Sequence, residues 1–374
     1  MQNVFGEFRW SFLPPLMVYL AAGVASLTGI VGTFFVKDYL GLSAVFLAGL
    51  GFWAGLPWAL KLPLGHLVDL VWRYKAWIIV LGAFVLAGSS FIMLMLVLER
   101  DWMATIAPVP AWFVIASVLA PVGYVLQDVV ADAMTVEAVP LNDDDGKPFD
   151  SAQIKSMHIT MQTLGRIAII GGTLLVALVN MSVFAGVENL AEEEKLAAYG
   201  RVYGYSLVIP LISVSGVVLA FFQQFIKRRN YLRAGMSSKE ASALVAPLPQ
   251  KISPNWTILI GSAVFVVFSI TVGMSDFPMA QEIVFIGSLA IILFLLKRLM
   301  RELDTSGQAV LAGTAIMVFA FRAMPGPGAG ASWFEIDILG FDQQFFSLLS
   351  LIAASLTIVG ILVLRPLMAN NSMA

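Results

Sequence analysis

FVKDYLGLSAVFL at residues 35–47 is echoed by FEIDILGFDQQFF at residues 334–346, with Phe, Asp, Leu, Gly and a second Phe in the same register. Each copy lies between two long apolar segments. Internal repeats of this kind are typical of transporters built from two similar halves, and they identify equivalent helices. The second copy therefore predicts that its flanking helices correspond to the first two helices of the chain. A chance match in so apolar a chain is the alternative.

The composition of the 374-residue chain is typical of a membrane protein. Hydrophobic residues make up 59% of it and charged residues only 12%, too few for the polar surface of a soluble domain. The net charge of −2 favours neither a nucleic acid nor a strongly acidic partner. Cysteine is absent, and we find no phosphate loop, nucleophile elbow or zinc-helix motif. We therefore expect an all-α membrane protein that is not an enzyme and holds no cofactor or metal.

Ten apolar segments are long enough to cross about 30 Å of hydrocarbon as helices. They cover residues 12–36, 43–60, 77–98, 112–136, 158–185, 205–226, 256–275, 281–296, 308–330 and 345–368. Lys and Arg are concentrated in alternate loops, on the side that also holds the N-terminus. The positive-inside rule then predicts a multi-pass protein of the cell (inner) membrane with both termini in the cytoplasm.

These segments predict four parts in the chain. They are an N-terminal six-helix half at residues 1–226, a cytoplasmic basic linker at 227–255, an inserted helix pair at 256–300 and the start of a C-terminal half at 301–374. A complete second half of the major facilitator type would need about four more helices. The chain is therefore expected to be truncated, or to be completed by another polypeptide. The alternative is ten consecutive spans and an accidental echo.

A charged turn after the second apolar segment carries the sharpest local motif, GHLVDLVWRYK at residues 65–75. We interpret it as part of a cytoplasmic gate formed by Gly65, Asp69, Arg73, Lys75 and Glu137. Asp69 is expected to cap a neighbouring helix. Asp132 and Glu137 are the expected carboxylate partners of the two basic residues. A simple charged turn between membrane helices is the alternative.

This turn resembles the G-x-L-x-D-x-x-G-R-K signature of the major facilitator superfamily at Gly65, Leu67, Asp69 and Arg73. It departs from the signature in three ways: Leu70 and Trp72 replace a common basic residue and the second glycine, and Lys75 is displaced by one place. The chain further resembles the folate-biopterin transporter family of that superfamily at WALKLPLGHLVD (58–69), DVVADAMTVE (128–137) and residues 332–346. The resemblance implies a major facilitator fold and secondary active transport, by symport, of a small organic anion such as a folate or pterin. In that family the last block lies between the seventh and eighth helices, which agrees with an incomplete second half.

Ionisable residues within apolar segments are costly unless they are paired or face water, so they are candidates for function. Asp128 and Asp132 lie four residues apart on one helix face. Asp128 is about 16 Å from the inner end of its helix and Arg166 about 13 Å from the inner end of the next. We expect these two to form an ion pair that exchanges a proton during transport, with Asp132 as the second proton-coupling residue. A static pair that joins two helices is the alternative.

Arg322 lies about 21 Å into the segment at residues 308–330, without a nearby acidic residue. A guanidinium at that depth is best accommodated in an aqueous cavity, where it can bind a carboxylate. Arg322, Arg166 and Lys61 are thus the candidate substrate-binding residues, and a structural ion pair is the alternative for Arg322. The sequence MPGPGAG at 324–330 cannot continue a regular helix.

Together these patterns predict a secondary active transporter that works by alternating access. Its expected partners are a small organic anion, a proton and the lipid bilayer, with no nucleic acid. The alternative is a non-transporting membrane scaffold or assembly factor on the same fold.

Overall fold

The computed structural model describes residues 8–141, 147–245, 253–275, 277–301, 303–324 and 326–370. This part of the chain is helical and contains no strand. Its α-helices are α1 (Leu13–Val24), α2 (Leu27–Phe34), α3 (Ala44–Ala59), α4 (Lys61–Leu70), α5 (Lys75–Leu98), α6 (Arg100–Ile106), α7 (Val109–Ala138), α8 (Ser151–Val183), α9 (Glu192–Ser206), α10 (Ile209–Arg233), α11 (Ser238–Val245), α12 (Trp256–Gly273), α13 (Ala280–Met300), α14 (Thr305–Arg322), α15 (Gly328–Asp337) and α16 (Gln343–Asn370).

Nine helical segments among the described residues are long and apolar enough to cross a membrane. They are Trp10–Tyr39, Ala44–Leu70, Trp72–Leu98, Val109–Ala138, Ser151–Asn189, Glu192–Arg233, Trp256–Gly273, Ala280–Arg298 and Gln343–Leu364. Several contain two of the helices above, because a short turn interrupts the span. The protein is therefore an all-helical, multi-pass membrane protein, as its composition predicted.

The tenth predicted span, at residues 308–330, is not among these nine segments. α14 begins three residues earlier, with a polar turn, and ends at Arg322. Pro327 lacks an amide donor, and Gly328 starts α15 with a φ of +62°, so the helix cannot continue through this segment. The break predicted for residues 324–330 is confirmed, because α14 ends before them, but Arg322 is the last residue of α14 and lies outside the nine segments.

The chain divides into two compact units. The larger comprises residues 1–61, 71–250 and 329–372, and the smaller comprises residues 62–70, 251–328 and 373–374. In the predicted basic linker at 227–255, α10 continues to Arg233 and α11 follows, while residues 246–252 lie outside the described part. In the predicted C-terminal part at 301–374, residues 302, 325 and 371–374 also lie outside it.

Close helix packing in the larger unit depends on glycines at the helix crossings. A Cβ atom on Gly23 of α1 would lie 1.9 Å from the carbonyl oxygen of Ile169, and one on Gly172 of α8 would meet the backbone of α1 at 2.7 Å. In α5 and α7, a Cβ atom on Gly82 or Gly123 would lie 2.7 Å from the carbonyl oxygen of the other. No larger side chain fits at these crossings, which bring the two pairs of helices into backbone contact.

The larger unit is densely apolar at both ends of its helix bundle. At one end, α2, α5, α7, α8 and α9 bury apolar and aromatic side chains, which include Val31, Leu96, Ala116, Val176 and Tyr199. Consecutive spans run in opposite directions, so a second cluster around Phe12, Met157 and Met161 marks the opposite end. Tyr19 of α1 and Asp128 and Asp132 of α7, described below, lie between these two ends.

The two copies of the repeat share their backbone conformation as well as their sequence. Gly41 and Gly340 hold the same place in the repeat, and their φ angles are +61° and +67°. Ser43 and Asp342 also correspond, and the side chain of each accepts a hydrogen bond from the backbone amide three residues later. α3 and α16 then begin at equivalent positions.

Backbone hydrogen bonds before each glycine match as well. The Leu40 amide donates to the Phe35 carbonyl at 3.1 Å, and the equivalent Leu339 amide donates to the Phe334 carbonyl at 3.2 Å. Both bonds span five residues, which is wider than the regular α-helical bond. The same unusual turn at both places argues against a chance match of the two sequences.

Candidate functional site

A cluster of ionisable side chains lies in the larger unit, where α1, α7 and the start of α4 meet. Lys61 Nζ is 2.5 Å from Asp128 Oδ2 and 2.7 Å from Asp132 Oδ2. The hydroxyl of Tyr19 donates a hydrogen bond of 2.5 Å to Asp132 Oδ1. One ammonium group therefore bridges two carboxylates, and a tyrosine holds the second carboxylate. We refer to Lys61, Asp128, Asp132 and Tyr19 as the Lys61 cluster.

Local sequence explains how these side chains converge. The spacing of four residues places Asp128 and Asp132 on one face of α7. α3 ends at Ala59 and α4 begins at Lys61, so the lysine lies at a break within its span. Tyr19 fits against α8 because residue 165 is glycine, where a Cβ atom would lie 2.9 Å from the tyrosine ring.

The burial of the cluster is uneven. The side chain of Asp128 is 16% exposed, whereas those of Lys61 and Asp132 are 40% and 46% exposed. With both carboxylates ionised, the three charged groups carry a net charge of −1. An uncompensated charge within a membrane span is unfavourable, so this arrangement favours binding of a proton or a cation.

The predicted ion pair between Asp128 and Arg166 is wrong, because Asp128 pairs with Lys61. Arg166 is exposed on α8, and it acts on Asp128 electrostatically without a direct ion pair among the described residues. Equal depth along two helices does not fix the direction in which each side chain points. Leu164 and Gly165 occupy the buried face of α8 at this level, which leaves Arg166 on the outer face.

A cavity of about 130 Å³ adjoins the cluster. Tyr19, Trp58, Tyr124, Gln127 and Asp128 are among its lining residues. This volume is enough for about four water molecules. It is smaller than the roughly 300 Å³ at which sites for organic ligands begin. In this conformation the Asp128 carboxylate therefore lines a small cavity whose walls are mainly apolar.

Two of the predicted gate residues are in contact. Lys75 Nζ forms an ion pair with Glu137, as expected, and lies 3.7 Å from the centroid of the Trp72 ring. Arg73 is exposed. The expectation that Asp132 joins these basic residues was wrong, because Asp132 binds members of the Lys61 cluster instead.

The other two gate residues, Gly65 and Asp69, lie on α4 in the smaller unit. Asp69 is exposed, and among the described residues its side chain caps no helix. Asn255 caps α12 by accepting a hydrogen bond from the Ile258 amide at 3.3 Å. The backbone amide of Asn255 in turn donates to His66 Nε2 on α4 at 2.8 Å. The predicted capping role of Asp69 is thus taken by an asparagine.

Arg322, the third candidate for substrate binding, is exposed at the end of α14 in the smaller unit. It does not line the cavity beside the Lys61 cluster. Its role in binding an anion stays a prediction.

An ion pair that we did not predict joins the two copies of the repeat. Lys37 Nζ is 2.6 Å from Asp337 Oδ1 and 3.6 Å from Asp38 Oδ1. Next to it, the Phe34 and Phe346 rings meet edge to face with centroids 5.9 Å apart. A signal was present in the sequence, since the repeat shares an aspartate and only its first copy has a neighbouring lysine.

Comparisons with protein-family models, with curated proteins and with solved structures give no match to this chain.

Proposed function

We propose that the protein is a secondary active transporter of the major facilitator type, which carries a small organic anion of the folate or pterin class together with a proton. The Lys61 cluster is the observation that supports this proposal most directly. It places one cation between two carboxylates, beside a small cavity and within membrane-spanning helices. Static helix packing does not require such a group, and its desolvation is costly.

The charges of the cluster explain why an anion and a proton would travel together. An incoming carboxylate competes with Asp128 and Asp132 for Lys61, which changes the local net charge from −1 to −2. Protonation of one displaced aspartate restores the original charge. Anion binding and proton binding therefore favour each other, which is the thermodynamic condition for symport. In this proposal Arg166 and Arg322 are additional anion-binding residues.

Alternating access requires contacts that hold each end of the bundle closed and that can open. The Lys37–Asp337 pair joins the two repeat copies at one end of the larger unit, and the Lys75–Glu137 pair lies at the other. The positive-inside rule assigns the first pair to the outer side and the second to the cytoplasmic side, with both termini in the cytoplasm of the inner membrane. Exposed ion pairs are individually weak, so they are suited to contacts that open during a cycle.

The experiment is uptake of radiolabelled folate or of a simple pterin into proteoliposomes under an imposed pH gradient. We expect Lys61→Met to abolish uptake and Asp128→Asn to remove its dependence on the gradient. Lys155→Met, which changes an exposed lysine of α8, is the matched control and is expected to retain uptake. Equal uptake by Lys61→Met and the unmodified protein would refute the proposed role of the cluster.

A non-transporting scaffold is the second candidate, and the small cavity is the observation that favours it. At about 130 Å³ the space beside the Lys61 cluster does not hold a pterin in this conformation. A scaffold is expected to co-purify with a partner in stable stoichiometry and to show no uptake of any anion tested.

A further inference from the structure

A second and larger cavity, of about 440 Å³, lies where the two copies of the repeat meet. Asp38 and Tyr39 of the first copy and Phe341 and Gln343 of the second copy line it, together with residues at the start of α9. This volume falls within the range of roughly 300 to 1,000 Å³ that is common for sites that bind small molecules. The residues of the Lys61 cluster do not contribute to this lining.

A buried polar pair forms the floor of this cavity. Tyr199 is 1% exposed and Gln343 is 7% exposed, and the Gln343 side-chain amide donates to the Tyr199 hydroxyl at 2.8 Å. The backbone carbonyl of Gln343 accepts a hydrogen bond from the Ser347 hydroxyl, and among the described residues the bond to Tyr199 is the only one that the Gln343 side chain makes. The side-chain oxygen of Gln343 therefore has no protein partner and is accessible from the cavity, where it can accept a hydrogen bond from a ligand or water.

The rim of the cavity is acidic. Asp38, Glu188 and Glu192 line it against one basic residue, Lys195, which gives the lining a net charge of −2 from three acids and one base. All three acids are exposed, so they face solvent and an incoming ligand. A lining of this sign repels the anions that the transport proposal assigns to the Lys61 cluster.

Aromatic side chains form the walls between this floor and the rim. Phe34, Tyr39 and Phe341 line the cavity. Faces of aromatic rings attract cations, and they also supply apolar contact for an organic body. Acidic groups, aromatic walls and an unpartnered amide oxygen together match a compact organic ammonium ion, whose N–H groups donate hydrogen bonds.

We propose that this cavity binds a small organic amine in its protonated form. The site is distinct from the one proposed for transport, and its residues recognise the amine whatever the transported anion is. Because both repeat copies line the cavity, an occupant contacts both and opposes their separation. Binding is therefore expected to stabilise the contact between the copies that contains the Lys37–Asp337 pair.

The test uses tryptamine as the cationic probe and indole-3-acetate as an anion of similar size and ring structure. Isothermal titration calorimetry on the full-length protein in detergent is expected to show binding of tryptamine and not of indole-3-acetate. The double variant Glu188→Gln/Glu192→Gln is expected to weaken tryptamine binding about tenfold or more. The matched control is Glu193→Gln, since Glu193 is exposed on the same turn of α9 and does not line the cavity. It is expected to bind tryptamine normally.

Three outcomes would overturn the proposal. They are equal affinity for the two indoles, an equal loss of affinity in the Glu193→Gln control, and no tryptamine binding at about 10 mM. Thermal unfolding of every variant verifies that it is folded. Lys61→Met is expected to bind tryptamine with unchanged affinity. The uptake assay therefore tests the transport proposal and tryptamine binding tests this one, so the failure of either is recognised separately.

Discussion

Replacement of Lys61 by methionine tests whether the Lys61 cluster stabilises the protein as its geometry implies. The substitution keeps much of the side-chain length and removes the charge that bridges Asp128 and Asp132. Loss of one partner from a buried ion pair costs about 3–5 kcal/mol. A solvent-exposed pair contributes about 1 kcal/mol or less. Asp128 is 16% exposed and the other two side chains at least 40%, so we expect a loss of about 2 kcal/mol in the free energy of unfolding.

The assay is reversible unfolding of the purified protein in mixed micelles by sodium dodecyl sulfate, analysed as a double-mutant cycle. Most of the loss in Lys61→Met arises because the Asp128 charge remains without its partner. The second substitution Asp128→Asn removes that charge, so the double variant is expected to regain about 1 kcal/mol or more. Lys155→Met is the control, and its effect is expected to stay within about 0.5 kcal/mol. A Lys61→Met protein as stable as the unmodified one, or a double variant less stable than the single one, would contradict the reasoning.

Three further predictions follow from the helix contacts. Gly23→Ala is expected to lower the free energy of unfolding by about 3 kcal/mol or to prevent folding, because its Cβ atom would lie 1.9 Å from a backbone oxygen. Gly171→Ala is the control: its Cβ atom would meet open space, so it is expected to change the free energy of unfolding by less than about 1 kcal/mol. Gly165→Ala is expected to displace the tyrosine of the Lys61 cluster and to reduce uptake several-fold while the protein stays folded, and uptake equal to that of Gly171→Ala would contradict this. Because the chain has no native cysteine, Lys37→Cys combined with Asp337→Cys is expected to be joined by a short bifunctional thiol reagent, and the joined protein is expected to lose uptake until the linker is cleaved.

The sequence predicted the class of the protein and most of its spans, because the length of an apolar segment reports directly on whether a helix can cross a bilayer. The span predicted at residues 308–330 was wrong, although the sequence itself predicted the break at residues 324–330 that ends its helix. Hydropathy continues past Arg322, but Pro327 and Gly328 interrupt the backbone there. A segment can thus be apolar enough for a span and still contain a break that ends its helix.

The site was predicted only in part. Lys61, Asp128 and Asp132 were each identified as functional candidates, since charged residues in apolar segments stand out in a sequence. Their pairing was not predicted, because depth along a helix says nothing about the direction of a side chain around the helix axis. The glycine at 165 decided that direction for α8, since it let Tyr19 pack against this face and left the neighbouring arginine outside.

The cavity between the repeat copies was also beyond prediction, for another reason. Its lining comes from the end of the first span, the start of α9 and the turn before α16. Long-range packing alone brings these segments together. In the sequence Glu192 is one residue of a charged turn, and Gln343 is one position in the second copy of the repeat. Neither pattern indicates that the residue lines a cavity.

The ion pair between the repeat copies is asymmetric, because only the first copy supplies a lysine. When the two copies are aligned, Lys37 corresponds to Ile336 and Asp38 corresponds to Asp337. If the two copies were identical and related by twofold symmetry, a second ion pair would therefore join residue 336 to Asp38. Divergence has left an isoleucine there, and one lysine serves both aspartates. Ile336→Lys would supply the missing basic partner of Asp38 and give the contact two ion pairs instead of one. A contact with two ion pairs would also open less readily.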